Sequence, residues 1–140
     1  MLEGKALLYV ALGSAAGGGL RYAVALYTVT TWGSAYPVAT LFVNVVGSLV
    51  IGCIAGWLRS STRRLRWTSV HLLGMTGLCG GFTTFAFFSW DTWAMLASGA
   101  YLAALAYVGL SVVLSLVAVW AGFTGSALHF LRRRSRLAAS

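Results

Sequence analysis

Four long apolar stretches, separated by short polar or basic segments, dominate the pattern of hydrophobic and polar positions along the chain. Each stretch has about twenty residues or more, which is the length that an α-helix needs to cross a bilayer. The pattern therefore predicts an all-α membrane protein with a single domain over residues 1–140. The predicted transmembrane helices cover about residues 6–27, 37–58, 68–96 and 100–123, and a basic tail follows at 124–140.

The third apolar stretch is longer than one crossing needs, and Gly80-Gly81 followed by Thr83-Thr84 interrupts it. Two adjacent glycines beside two hydroxyl residues predict a break in this helix. Backbone groups that are freed at membrane depth must be buried in protein or line a cavity. Only residues 97–99 separate this span from the fourth, so the two are predicted to be antiparallel neighbours.

Composition and charge agree with a membrane location. Of the residues, 59% are hydrophobic and 9% are charged, whereas typical globular domains have about 25% charged residues. The net charge of +8 would also suit a nucleic-acid-binding protein. The basic residues lie beside the apolar stretches, however, so we predict lipid contact and no nucleic-acid partner.

The distribution of basic residues predicts the orientation of the chain. With four spans, nine of the ten Lys and Arg residues fall on the side of the two termini: Lys5, Arg59, Arg63, Arg64, Arg66, Arg132, Arg133, Arg134 and Arg136. Lys and Arg in short loops are retained in the cytoplasm. We therefore expect a multi-pass protein of a bacterial-type plasma membrane with both termini in the cytoplasm.

Residues for catalysis or metal binding by side chains are not apparent, so no enzyme is predicted. The acidic residues are Glu3 and Asp91, which do not form a carboxylate pair within one chain. Cys53 and Cys79 lie in apolar segments without a CxxC spacing, which favours a packing role over a disulfide or a metal site.

Polar side chains within the spans are the strongest functional signal, because each is costly in lipid unless it has a partner or lines a pathway. Thr40 and Asn44 share one face of the second span. Tyr107, Ser111 and Ser115 form a hydroxyl stripe on the fourth span. An ion pathway along this stripe and hydrogen bonding of each hydroxyl to its own helix are equal alternatives.

Two aromatic residues and one arginine suggest that a permeating ion would be an anion. Phe85 and Phe88 lie three residues apart, just beyond the glycine pair. Such residues usually pack or contact lipid, but their electropositive ring edges would let an anion pass where a cation could not. Arg21 is the one basic residue deep within a span, and it is either a tether to backbone carbonyls or a fixed charge that draws anions into a vestibule.

Three segments resemble the Fluc (CrcB) family of fluoride channels. They are GGGLRY at 17–22, TLFVNVVGSLVIG at 40–52 and GLCGGFTTF at 77–85. The resemblance covers nearly the whole chain. It implies an antiparallel dimer of four-helix subunits with two pores, through which cytoplasmic fluoride leaves the cell passively, so that the protein relieves fluoride toxicity.

The resemblance also implies roles for individual residues. A structural sodium ion at the centre of the dimer would be held by the backbone carbonyls of Gly80 and Thr83, and Asp91 stands where a glutamate is usual. The residues that correspond to the fluoride pathway are Asn44, Phe85, Phe88, Thr40, Tyr107, Ser111 and Ser115, with Arg21 matching the arginine of the first helix.

Two departures from the family pattern leave alternatives open. Ala86 and Phe87 replace a serine and a threonine, so the chain is also compatible with a non-conducting or half-degenerate subunit of a heterodimeric channel. A small multidrug exporter would need a carboxylate within a span, usually the first, and Glu3 precedes that span. The partner in the dimer is either an identical subunit or a related one with the opposite charge bias.

Overall fold

The computed structural model describes residues 2–33, 37–60 and 69–138, and this part of the chain is almost entirely helical. The all-α fold class is therefore confirmed. The predicted loop arginines Arg63, Arg64 and Arg66 lie outside the described residues. The elements in chain order are α1 (Leu2–Trp32), α2 (Val38–Ser60), a π-helix (His71–Cys79), a single α-turn (Gly80–Phe82), α3 (Phe85–Ala97) and α4 (Tyr101–Ala138).

In the described part of the chain, three segments are long and apolar enough to cross a membrane. They are Val38–Arg59, His71–Ala97 and Tyr101–Leu128. The chain is therefore an integral membrane protein. The 31 residues of α1 span about 46 Å at 1.5 Å per residue, but its glycines and Arg21 make it less apolar than the other three. A fourth crossing by α1 stays a prediction.

α1 and α4 are longer than the first and fourth predicted spans. α1 extends to Trp32, so the first part of the polar segment between the predicted spans at 6–27 and 37–58 is helical, and α4 continues through the predicted tail to Ala138. A helix satisfies its own backbone hydrogen bonds in water as well as in lipid. Hydropathy therefore limits the length of a span but not the length of the helix that contains it.

The break in the third span lies at Thr83 and Thr84, within the segment 80–84 in which the sequence predicts it. Gly80 has helical dihedral angles (φ −64°, ψ −35°), whereas Thr83 (φ −77°, ψ 162°) and Thr84 (φ −152°, ψ 127°) are extended. Within the predicted segment, the glycine pair is helical and the two threonines carry the break. Gly81 is needed for packing instead, because a Cβ there would lie 2.5 Å from the Ser14 carbonyl oxygen.

Small residues bring the helix backbones into direct contact, as is usual where lipid supplies no hydrophobic drive between helices. A Cβ on Gly13 of α1 would lie 2.8 Å from the Cα of Gly77 in the π-helix. In α2, Gly52 and Gly56 face the carbonyls of Val119 and Phe123 on α4. The GxxxG motif of the second span therefore forms a contact within the subunit.

Candidate functional site

A groove of about 590 Å³ lies between α2, the break and α4. Gly47 allows the break to approach α2 closely, because a Cβ there would collide with Cγ2 of Thr83. The lining residues are all uncharged. Seven of the predicted site residues line this groove: Asn44, Gly80, Thr83, Phe85, Phe88, Ser111 and Ser115.

Asn44 holds the extended backbone of Thr84 through two hydrogen bonds. Its Nδ2 donates to the Thr84 carbonyl at 3.0 Å, and its Oδ1 accepts from the Thr84 amide at 2.8 Å. The carboxamide of Asn44 thus pairs with one residue as a neighbouring β-strand would. The second N–H of Nδ2 is not used by this pair.

At the break, two backbone amides that would donate to the carbonyls of Gly80 and Thr83 in a continuous helix donate to side chains instead. The amide of Thr84, four residues after Gly80, donates to Asn44. The amide of Phe87, four residues after Thr83, donates to Oγ1 of Thr84 at 3.2 Å, so that Thr84 caps α3. Both carbonyls are therefore released from the pairing that a regular helix would impose.

An aromatic ladder leads from the break to α4. The ring centroids of Phe85 and Phe88 are 5.7 Å apart, and those of Phe88 and Tyr107 are 5.4 Å apart, with tilted rings in both pairs. The Tyr107 hydroxyl donates to Oδ2 of Asp91 at 3.4 Å. Asp91 thus accepts a hydrogen bond from the first hydroxyl of the stripe on α4.

The hydroxyls of Thr40 and Ser111 lie near the phenolic oxygen of Tyr107, and that of Ser111 does so without the geometry of a hydrogen bond. Ser111 is buried, and its Oγ has no hydrogen-bond partner in the described part of the chain. The alternative that each hydroxyl of the stripe bonds to its own helix therefore fails for Ser111. A buried hydroxyl without a partner is costly, and here it lines the groove.

Arg21 lies outside this groove, at a second cavity of about 310 Å³ that Thr40, Thr84 and Phe87 also line. Its Nε donates to the Gly81 carbonyl at 3.1 Å, and its guanidinium carbon lies 5.5 Å from the centroid of the Phe87 ring. Of the two roles that the sequence left open, these contacts support the tether to backbone carbonyls. The structure does not bring Arg21 together with Phe85 and Phe88.

The sequence profile of the CrcB-like protein family, Camphor Resistance (CrcB), matches residues 8–123 of this chain. The chain belongs to the CrcB family. Every residue of the groove and of the second cavity falls within the CrcB match, whereas the last part of α4 lies beyond it.

Named relatives of this CrcB chain are fluoride channels. The chain is 44% identical over 123 residues to fluoride-specific ion channel FluC 1 of Rhodopseudomonas palustris, with 86% of this chain and 87% of that protein covered. It is 42% identical over 133 residues to FluC 1 of Bradyrhizobium diazoefficiens, covering 94% and 92%. For FluC of Roseiflexus sp., the identity is 38% over 116 residues, covering 83% and 92%.

Sequence reasoning missed the central position of Thr84 in this CrcB site. Thr84 pairs with Asn44, caps α3 and lines both cavities. The sequence predicts a role only for the neighbouring Thr83, whose carbonyl is expected to bind sodium. The available signal was a threonine directly before a run of helix-forming residues, since threonine is a preferred N-cap.

Proposed function

We propose that this chain is a subunit of a fluoride-specific ion channel through which cytoplasmic fluoride leaves the cell passively. The relatives that cover most of the chain carry that name. The observation that carries the proposal is the buried, unpartnered hydroxyl of Ser111 in a groove that also holds the aromatic ladder and the amide of Asn44.

The groove has the chemistry that a small, strongly hydrated anion requires. Fluoride must exchange its water for other donors, and the hydroxyl of Ser111, the second N–H of Asn44 and the ring edges of the phenylalanines are such donors. Because no cationic side chain among the described residues lines the groove, an anion there is bound without being trapped. Conduction needs binding that is favourable enough for entry and weak enough for exit.

Fluoride efflux from liposomes that contain only this protein tests the proposal. A fluoride electrode should record rapid efflux after addition of a potassium ionophore, in the absence of a sodium or proton gradient, and chloride should stay inside. Net fluoride movement that strictly requires a proton or sodium gradient would contradict a channel. Equal efflux of chloride would contradict the proposed selectivity.

The pathway also needs a second wall, which we assign to another subunit in an antiparallel dimer. Phe85 is 78% exposed within the subunit, although its ring belongs to the aromatic ladder. In a dimer, a partner surface would cover this ring and close the groove into a pore. Cross-linking in native membranes, with a cysteine in place of Phe85, is expected to yield a dimer.

The released carbonyls of Gly80 and Thr83 fit the sodium ion that the family resemblance implies. No group of three or more His, Cys, Asp or Glu side chains that could hold a metal occurs in the described ranges. Backbone carbonyls are the alternative ligands, and hard cations favour such oxygens. The sodium ion would bind these carbonyls at the dimer axis and join the two subunits.

Charge bias argues that the partner is a related subunit. The predicted cytoplasmic side carries nine of the ten basic residues, and such a bias should fix both termini in the cytoplasm. An antiparallel homodimer requires insertion in both orientations. Labelling of a cysteine introduced at Ala138 or at Gly33 should occur from one side only for each position. Labelling of the first from both sides would remove the basis for a heterodimer.

Phe87 is the observation that favours a half-degenerate subunit as a second candidate. Its ring takes the place of a hydroxyl that is usual in the family, and the guanidinium of Arg21 lies over it. A multidrug exporter has no such support, because Asp91 lies in α3 and accepts a hydrogen bond from Tyr107. A chain that conducts only when its partner is present would support the half-degenerate subunit.

A further inference from the structure

The pairing of Asn44 with Thr84 has an effect on Gly80, a residue that Asn44 is not bonded to. In a continuous helix the amide of residue 84 would donate to the carbonyl of residue 80. Here Oδ1 of Asn44 accepts that amide at 2.8 Å. The side chain of Asn44 therefore substitutes for the Gly80 carbonyl as an acceptor, and the carbonyl is left free for another partner.

The second hydrogen bond of the pair satisfies the Thr84 carbonyl, which would otherwise be left without a donor. The Thr84 carbonyl is turned out of the helix by the extended backbone (φ −152°, ψ 127°), and at membrane depth an unpaired carbonyl is expensive. Nδ2 of Asn44 donates to this carbonyl at 3.0 Å. One carboxamide thus satisfies both polar groups of the residue at the break.

We propose that Asn44 is a positioning residue that keeps the third span open and thereby creates the cation site at Gly80. This inference rests on the proposed function for its sodium ion, but it assigns to Asn44 a task separate from contact with fluoride. The two tasks use different atoms, because Oδ1 and one N–H hold Thr84 while the other N–H remains for the groove.

The two tasks predict different behaviour for Asn44→Asp and Asn44→Leu. Aspartate keeps the acceptor for the Thr84 amide, so the Gly80 carbonyl stays free, but it loses the donor to the Thr84 carbonyl, and its negative charge repels an anion in the groove. Leucine has a similar size and no acceptor, so the Thr84 amide returns to Gly80. Asn44→Asp should therefore lose fluoride efflux and keep sodium binding, whereas Asn44→Leu should lose both.

Thermal unfolding of the purified full-length protein measures sodium binding without fluoride. The midpoint in sodium chloride is compared with that in N-methylglucamine chloride at equal ionic strength. For wild type we expect a rise of about 10 °C when sodium is at about one hundred times its dissociation constant. Asn44→Asp should keep more than half of this rise, and Asn44→Leu should lose it. If the leucine variant does not fold, Asn44→Ala removes the same acceptor without added bulk.

Ser48→Ala is the matched control, because Ser48 lies one turn further along α2 and lines the same groove. It should keep the full rise with sodium. An undiminished rise of the unfolding midpoint in Asn44→Leu or Asn44→Ala would overturn the positioning role. The same holds if the midpoint of the wild type does not change with sodium. A wild type that is stabilised by sodium but passes no fluoride would refute the channel and leave the positioning role intact.

Discussion

α2 and α4 meet in two ways along their length. Around Gly52 and Gly56 their backbones touch, and Gly122 of α4 faces the carbonyl of Leu49 in return. Two to three turns away, around Asn44 and Ser111, the same two helices enclose a groove of about 590 Å³. The chain therefore builds a tight seam and an open site from one pair of helices.

The difference shows which residue types set the distance between helices in a membrane. At the seam, the absence of a side chain lets van der Waals contact replace contact with lipid. At the groove, polar side chains take partners on the broken third span, as Asn44 does with Thr84. The seam should tolerate no added atoms, whereas the groove should tolerate changes that preserve hydrogen bonding.

The largest effect is expected at the seam, from Gly52→Leu. Its side chain would collide with the backbone of Val119, which cannot move aside as a flexible side chain can. We expect a loss of about 3 kcal/mol or more in stability, seen as aggregation in size-exclusion chromatography. Gly109→Ala is the control, because Gly109 lies on the exposed face of α4 with nothing near it. A monodisperse Gly52→Leu protein would show that the seam is not rigid.

Phe88→Ile is expected to reduce fluoride efflux about tenfold, since it removes both aromatic contacts of the ladder. Phe85→Ile should act in the same direction. The matched control is Phe87→Ile, because Phe87 is adjacent in sequence but lines the second cavity. Efflux measured in liposomes should stay near wild type for the control. Equal losses in all three variants would show that the groove is not the pathway.

Tyr107→Phe should reduce fluoride efflux about fivefold, which corresponds to one neutral hydrogen bond. The ring still stacks on Phe88, but Asp91 loses the hydroxyl that donates to it, so its charge beside the ladder is less well compensated. Adding Asp91→Asn removes that charge and should recover part of the efflux in the double variant. If the fold reduction of efflux in the double variant equals the product of the two single reductions, the two residues act independently.

The smallest effect is expected from Arg21→Lys, because Arg21 lies at the second cavity and not at the groove. Lysine keeps the charge but loses the planar group over Phe87 and the Nε donor to Gly81. We expect a loss of about 1 kcal/mol in stability and an efflux rate close to wild type. A strong loss of efflux with unchanged unfolding would favour the vestibule charge over the tether.

Hydropathy and motif patterns predicted the all-α membrane class, the break in the third span and seven of the residues that line the groove. They could not assign the break to the threonines, because a glycine pair is as useful for close packing against Ser14 as for bending a helix. They also could not separate the two roles of Arg21. That choice depends on a contact with Gly81, sixty residues away in the chain, and periodicity within one helix carries no information about such a contact.

The short connection at Ser98–Ala100 affects how this protein is made. α3 has 13 residues and is about 20 Å long, which is less than the thickness of about 30 Å of the hydrocarbon core. Gly99 (φ 79°) turns the chain at once into α4. α3 is therefore too short to cross the bilayer without the π-helix and the α-turn that precede it in the third span, His71–Ala97. We expect the third span and α4 to leave the translocon together as a hairpin. The backbone of Thr84 would then form its hydrogen bonds with Asn44 of α2, which is already inserted.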